Sequence, residues 1–222
     1  MPFQRKQFAV IGLGRFGRSV CTTLHGLGHE VLGMDVSEDF TRSAQADHIA
    51  THIIQADSTD LHALDEVGMR NFDAVVVAIG TNMEASILTV LNLMDLSVTN
   101  IIAKASHDKH GKVLERIGGD YIRVVYPESQ MGERVAHSIG GTGIIESIEL
   151  DPHYSIIEIP APQELVGKTL MEADLRARFG VTVIAIKGRD SVNVAPLSTD
   201  KIASGDIIAV IGSNDKLQAL QR

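Results

Sequence analysis

Phe8-Ala9-Val10-Ile11-Gly12-Leu13-Gly14-Arg15-Phe16-Gly17 is the stretch that decides the fold. An apolar strand runs into three glycines spaced G-x-G-x-x-G, and a helix follows. Gly12 permits the tight turn, Gly14 lets the backbone approach a phosphate, and Gly17 lets the helix pack closely on the strand. The helix start aims its unpaired N–H groups and positive dipole end at that phosphate. A lone glycine pattern is a weak signal. Here Asp35 completes it, closing a second strand, Glu30-Val31-Leu32-Gly33-Met34, 21 residues after Gly14. A carboxylate there accepts both hydroxyls of an adenosine ribose and repels a 2′-phosphate, so NADP is disfavoured. The alternative is a doubly wound domain that keeps its glycines for packing alone.

Outward from the loop, Phe16, Val20, Leu24 and Leu27 share one helical face, and Gly28 stops the helix. A second helix is predicted from Glu38 to Ala46, and a third strand over 51–55, ending at Ala56-Asp57-Ser58. Leu61, Leu64 and Val67 mark a short helix closed by Gly68. The fourth strand, 74–79, is apolar throughout, as a strand covered on both faces must be; it ends in Gly80-Thr81-Asn82. A helix carrying Ile87, Leu88, Leu91 and Met94 leads to a fifth strand over 101–105. A helix over 109–117, capped by Gly118-Gly119, leads to a sixth strand over 121–126. Strands and helices in this alternation predict an α/β fold: a Rossmann-like doubly wound parallel sheet over residues 1–127. Its ligand cleft lies at the carboxyl ends of the strands.

Pro127-Glu128 opens a linking helix within 128–143, with Met131, Val135 and Ile139 on one face, ended by Gly140-Gly141-Thr142-Gly143. Residues 144–222 then read as a small α+β C-lobe. Strands are predicted over 144–150, 155–159, 181–187, 191–195 and 206–211, with one helix over 170–179. Gly188-Arg189-Asp190 and Ser204-Gly205-Asp206 read as turns.

The 222 residues are 44% hydrophobic, ample for a core, and carry a formal charge of −8, which argues against nucleic acid as a partner. The single cysteine, Cys21, excludes an internal disulfide framework, fits a reducing cytosol and reads as a small core residue of the first helix. No apolar run approaches the ~20 residues that span a bilayer. Met1 to Lys6 is too short and polar for a signal peptide. The expectation is a soluble intracellular protein whose membrane role passes through a partner.

The strand ends bring Asp35, Asp57, Gly80, Asn82 and Lys104 to one cleft. Asp57 suits an adenine amino group or a ribose, and equally an N-cap for the helix starting near Asp60. Arg15, at the tip of the glycine loop, suits a polyphosphate tail; otherwise it is a solvated surface charge. Glu128 is either a first-turn charge favoured by the helix dipole or, beside a triphosphate, a ligand for Mg²⁺ or Ca²⁺. His107 and His110 read as surface residues rather than a metal pair. No Tyr-x-x-x-Lys follows Tyr121, Tyr126 or Tyr154, and no Walker pattern occurs, so bound ATP would be sensed rather than hydrolysed. No catalytic residue is expected.

The stretch from Lys6 to Gly17 resembles the cytosolic subunits of Ktr-type potassium uptake systems, members of the RCK (regulator of K⁺ conductance) family. The resemblance continues through Gly28-His29-Glu30-Val31-Leu32, Arg70-Asn71-Phe72-Asp73, Val77-Ala78-Ile79-Gly80, Val113-Leu114-Glu115-Arg116-Ile117-Gly118 and Tyr126-Pro127-Glu128. In the C-lobe, Leu165-Val166-Gly167-Lys168-Thr169-Leu170 and Ser204-Gly205-Asp206 carry it on. It implies homodimers assembled into a homo-octameric ring on the cytosolic face of a K⁺-translocating membrane subunit, a cytoplasmic protein peripheral to the cell membrane. It implies ATP and ADP as regulatory ligands. Gly12, Gly14, Arg15, Phe16 and Gly17 would hold phosphates, Asp35 the ribose, and Asp57 and Ser58 the adenine side. Ile79, Gly80, Thr81, Lys104, Ala105 and Ser106 would line the cleft, with His110 nearby. Arg15 would reach a γ-phosphate, and Glu128 would help hold Mg²⁺ or Ca²⁺ between protomers. Two residues inserted before Tyr126 depart from the family pattern and bear on the placement of Glu128. Cyclic di-AMP is a second implied effector, at a C-lobe segment containing Arg189, Asn193 and Pro196; the same residues suit an ordinary hairpin. An NAD(H)-binding regulator or a small NAD-dependent oxidoreductase would use the same glycines and Asp35, and the oxidoreductase also needs a catalytic acid that the sequence does not offer.

Overall fold

A computed structural model describes residues 4–139 and 145–220. The chain forms two compact units, Met1–Glu128 and Ser129–Arg222. The first alternates strand and helix: β1 (Gln7–Ile11), α1 (Arg15–Gly26), β2 (Glu30–Asp35), α2 (Glu38–Ala46), β3 (His52–Gln55), α3 (Leu61–Glu66), β4 (Ala74–Val77), α4 (Met83–Asp95), β5 (Ile101–Lys104), α5 (Asp108–Gly118) and β6 (Ile122–Val125). The six strands pair in parallel in the order β3-β2-β1-β4-β5-β6.

The strand sequences explain the layering. Side chains along a strand point to opposite faces in turn. Ala9, Ile11, Val75 and Val77 pack with Leu64, Met69, Leu93 and Leu114 on one side of the sheet. Val10 and Val76 pack with Leu13, Cys21 and Ala44 on the other. β1 and β4 are apolar at successive positions because both faces are covered. The chain leaves β1 for one helical layer and β4 for the other. The crevice this opens at their carboxyl ends is where doubly wound sheets bind ligands.

Two details depart from the sequence reading, the exposure of Leu27 and the start of the sixth strand, and the buried face of α4 adds to it. In α1 the fully buried residues are Gly17 and Cys21, whereas Leu27 caps the helix and is 58% exposed. Burial pushes the Cys21 thiol up to about 12, as fits a small core residue. In α4 the inward face is Ser86, Thr89, Val90 and Leu93, while Leu88 and Leu91 face outward. The sixth strand starts later than predicted, because Gly119–Tyr121 forms a 3₁₀ turn.

α6 (Pro127–Ile139) crosses the division between the units and leaves Met131, Val135 and Ile139 exposed. The predicted glycine stop at 140–143 and the start of the predicted strand at Ile144 lie outside the described residues. The second unit contains β7 (Glu146–Asp151), β8 (Tyr154–Pro160), α7 (Leu170–Ala173), α8 (Leu175–Phe179), β9 (Thr182–Lys187), β10 (Val192–Val194), β11 (Ile207–Ser213) and α9 (Asn214–Ala219). Its strands run antiparallel in the order β10-β9-β11-β8-β7. The helix predicted over 170–179 is broken in two at Asp174, whose φ is +43°. α9 was not anticipated; Leu217 and Leu220 at its end fill the core of this unit. No described helix is long and apolar enough to cross a membrane.

Candidate nucleotide-binding cleft

The carboxyl ends of the parallel strands open into a cleft of about 810 Å³, within the usual size of a small-molecule site. Gly12 sits at φ +97°, and its N–H donates to the Met34 carbonyl at 2.8 Å. A Cβ on Gly17 would lie 1.8 Å from the Gly12 oxygen, so the loop can fold back on its own helix only over a glycine. A Cβ on Gly14 would meet open space, which leaves this stretch of backbone approachable from the cleft. Gly17 therefore supports the loop and does not line the cleft.

Asp35 ties two loops together. Its Oδ2 accepts the Leu13 N–H at 2.6 Å, and its Oδ1 accepts the Ser37 N–H at 2.8 Å. Each carboxylate oxygen has a further lone pair, so Asp35 can hold the glycine loop and a ligand hydroxyl together. Next to it, Asp57 Oδ1 accepts the Thr59 N–H at 2.9 Å and the Thr59 hydroxyl at 2.8 Å. These bonds hold its carboxyl below the usual carboxylate range. The N-cap of α3 is Asp60, which accepts the His62 N–H; Asp57 closes its own turn and lines the cleft.

The opposite end is basic. The Lys104 ammonium donates to the Glu128 carboxylate and lies 5.9 Å from the centroid of the Phe16 ring. A Cβ on Gly80 would come within 3.0 Å of that ammonium, so the missing side chain makes room for it. The hydrogen bond from Lys104, helped by the charges of Lys104 and Arg15, holds the Glu128 carboxyl below its ordinary range. Arg15, Ile79, Thr81 and Ser106 line the cleft as well.

His110 and Ala105 lie behind the cleft. His110 is fully buried, and its Nδ1 stands 3.3 Å from the Ser106 hydroxyl. Burial first, and His107 second, hold its imidazole below the ordinary histidine range. His107 caps α5, its Nδ1 accepting the His110 N–H at 3.2 Å. The expectation of two surface histidines holds for His107, which is exposed and caps the helix, and is corrected for His110, which is buried because α5 packs it against the sheet. Among the described residues no group of three or more His, Cys, Asp or Glu is placed to hold a metal. Within one chain Glu128 is a single carboxylate bonded to an ammonium, and this donor set does not fit a divalent cation.

Sequence reasoning missed the rim formed by Val36, Ser37 and Phe40. The signal was present: Ser37 stands directly before Glu38-Asp39, the composition of a helix start, and its hydroxyl accepts the Phe40 N–H.

A doubly wound sheet, a glycine loop and an acid ending β2 define a protein of the dinucleotide-binding fold class, here joined to a small antiparallel unit. The TrkA-N domain family matches residues 8–127 and the TrkA-C domain family residues 154–222. The chain belongs to the TrkA-N/TrkA-C family, among the Ktr-type RCK proteins. It is 47% identical to Ktr system potassium uptake protein C of Bacillus subtilis (strain 168), over 94% of this chain and 93% of that one. It is 40% identical to Ktr system potassium uptake protein A of the same organism, over 98% and 96%. By name these relatives are potassium uptake proteins, in agreement with the sequence reading. Among solved structures, the GsuK channel superposes with a TM-score of 0.73 at 19% identity, covering all of this chain and 40% of the channel chain. That likeness concerns the fold, and the chain spans about two-fifths of that channel's length.

Proposed function

We propose that this chain is the nucleotide-sensing regulatory subunit of a Ktr-type potassium uptake system, with ATP and ADP competing for the cleft of the first unit. The observation that carries the proposal is the polarity of the cleft. Asp35 and Asp57 stand at the β2–β3 end, Arg15 and Lys104 near the glycine loop and the end of β5. Such a cleft fits a ligand with hydroxyl and amine donors at one end and an anionic phosphate chain at the other.

A ligand shifts a protein between states only as far as its affinities for those states differ. ATP and ADP differ by the γ-phosphate, so the switch resides in the groups that meet it, and Arg15 at the loop tip is the foremost. The expected result for Arg15→Ala is a selective loss: ADP affinity nearly unchanged, and ATP affinity lower by about tenfold, the low end of what a charge-assisted hydrogen bond contributes. Titration calorimetry on the full chain checks this. A parallel fall of both affinities would reduce Arg15 to a support of the loop. Binding of NADH in preference to either nucleotide would leave the sensing role standing and change the ligand, and mass spectrometry of the nucleotide that co-purifies with the protein tests that independently.

The same reading places the subunit at the cytoplasmic face of the membrane, bound to a K⁺-translocating partner, as homodimers assembled into an octameric ring. The exposed Met131, Val135 and Ile139 of α6 form an apolar stripe suited to a second copy. Light scattering at micromolar concentration is expected to give a mass well above the 23.9 kDa of one chain; a monomer would refute the ring. A divalent cation at Glu128 would have to displace Lys104 and take further ligands from outside this chain. In the C-lobe segment that the resemblance implies for cyclic di-AMP, the Asn193 amide donates to Asp200 at 2.7 Å and Asp200 also accepts the Leu197 N–H.

A further inference from the structure

The inward face of α4 carries a polar stripe in a largely apolar core. Thr89 and Ser86 are fully buried, and Asn92 lies one turn beyond Thr89. Both Thr89 and Asn92 reach the same target, the loop after β3. The Thr89 hydroxyl is 2.7 Å from the Ser58 hydroxyl. The Asn92 amide donates to the Thr59 carbonyl at 2.9 Å and to the Ser58 carbonyl at 3.3 Å. The loop held this way is the acidic wall of the cleft: Asp57 and Ser58 line it, and Thr59 in turn fixes one oxygen of Asp57. The other end of α4 also borders the cleft, where Asn82 caps the helix by accepting the Ala85 N–H at 3.0 Å and both residues belong to the lining.

From this geometry we infer that Thr89 and Asn92 are positioning residues for the nucleoside end of the ligand. They set the distance between the Asp57 wall and the glycine loop while touching no ligand themselves. The inference rests on the proposal that an adenine nucleotide occupies the cleft. The physical reason is pre-organisation. Asp57 is exposed to solvent on a short loop between β3 and α3, and its own hydrogen bonds are local to that loop. The Ala56 N–H ties the start of the loop to the Asp35 carbonyl at 3.1 Å, and the contacts from α4, more than thirty residues away in sequence, tie Ser58 and Thr59 beyond it to a rigid element. Without them the loop samples several positions, and a ligand must select one of them, which weakens binding. A neutral hydrogen bond contributes about 0.5–1.5 kcal/mol, or roughly two- to tenfold in affinity.

The experiment uses the full chain and three variants, Thr89→Val, Thr89→Ser and Asn92→Ala. Affinities for ADP, ATP and inorganic tripolyphosphate are measured by calorimetry, with the melting temperature of each protein. Thr89→Val keeps the shape and removes the hydroxyl; Thr89→Ser keeps the hydroxyl and serves as the rescue. The expected result is that Thr89→Val and Asn92→Ala weaken ADP and ATP by one common factor, about three- to tenfold. Tripolyphosphate, which needs only the glycine loop and the cations, stays within twofold of its wild-type affinity, and Thr89→Ser binds like wild type. A purely structural role predicts a different pattern, with tripolyphosphate falling in parallel with ADP, and that result overturns the inference. So does ADP affinity within twofold of wild type in Thr89→Val. If Asn92→Ala fails to fold, the Thr89 pair decides alone. If the wild-type protein binds no ADP, the ligand assignment fails first and takes this inference with it, an outcome distinct from wild-type binding that the variants leave untouched.

Discussion

Gly17→Ala is expected to abolish nucleotide binding and to destabilise the first unit. The added Cβ would sit 1.8 Å from the Gly12 oxygen, 3.0 Å from its carbonyl carbon and 3.2 Å from the Ala78 Cβ. None of these is the end of a flexible side chain. Gly12 is fixed by its N–H bond to Met34, and Ala78 by its N–H bond to the Ile11 carbonyl at 2.7 Å. Either α1 lifts away from β1 or the loop opens, and both movements displace the backbone that would meet the phosphates. Overpacking against flexible neighbours already costs about 1–3 kcal/mol, and a backbone clash belongs at or above the top of that range. A fall of roughly 10 °C in Tm and at least a hundredfold loss of ADP affinity are expected. Thermal unfolding and calorimetry on the same sample check both. A variant that melts within about 2 °C of wild type and binds ADP normally would mean that the loop is looser than its geometry states.

Asp35→Ala is expected to lower ATP and ADP affinity together, by about a hundredfold. Two effects add. The direct one is loss of a charged acceptor for the ribose, about 1.5–3 kcal/mol for a hydrogen bond to an ionised group. The indirect one is that the Leu13 and Ser37 N–H groups lose their partner, and Leu13 is fully buried. A buried N–H without a partner costs about 1–3 kcal/mol, which the protein meets by letting the glycine loop drift. The ratio of ATP to ADP affinity stays as in wild type, in contrast to Arg15→Ala, because the ribose is common to both ligands. Asp35→Asn is expected to fall between, since its amide oxygen can still accept one backbone N–H. Full affinity in Asp35→Ala would remove the acid from the ligand assignment.

The features of the cleft that were legible in the sequence are those whose physics is local. Gly12 and Gly17 announce a turn and a close approach within one loop. Asp35 announces itself by standing at the end of an apolar strand. The strand cores are legible because a strand buried on both faces tolerates apolar residues alone, as Val75, Val76 and Val77 illustrate. The inward face of α4 was not legible, for the complementary reason. Its apolar residues Leu88 and Leu91 point outward, and Ser86 and Thr89 point inward. Helical periodicity favours the apolar face, and nothing in residues 83–95 states that a polar loop from the end of β3 will arrive opposite and need hydrogen-bond partners.

His110 and Asp57 follow the same division. A histidine three residues after another looks like surface chemistry, until the packing of α5 against the sheet places it at 0% exposure under Ser106. Asp57 and Asp60 are both plausible caps by composition, and the path of the chain into α3 awards the cap to Asp60 and leaves Asp57 facing the cleft. By itself the sequence determined the parallel α/β sheet, the glycine loop with its acid, and the resemblance to RCK proteins, because each is built from short local patterns, repeated along the chain, that need no knowledge of what packs against them. The tertiary structure alone decided which side of α4 is buried, which carboxylates line the cleft and which cation holds Glu128, because these depend on what distant segments bring to the other side of the contact.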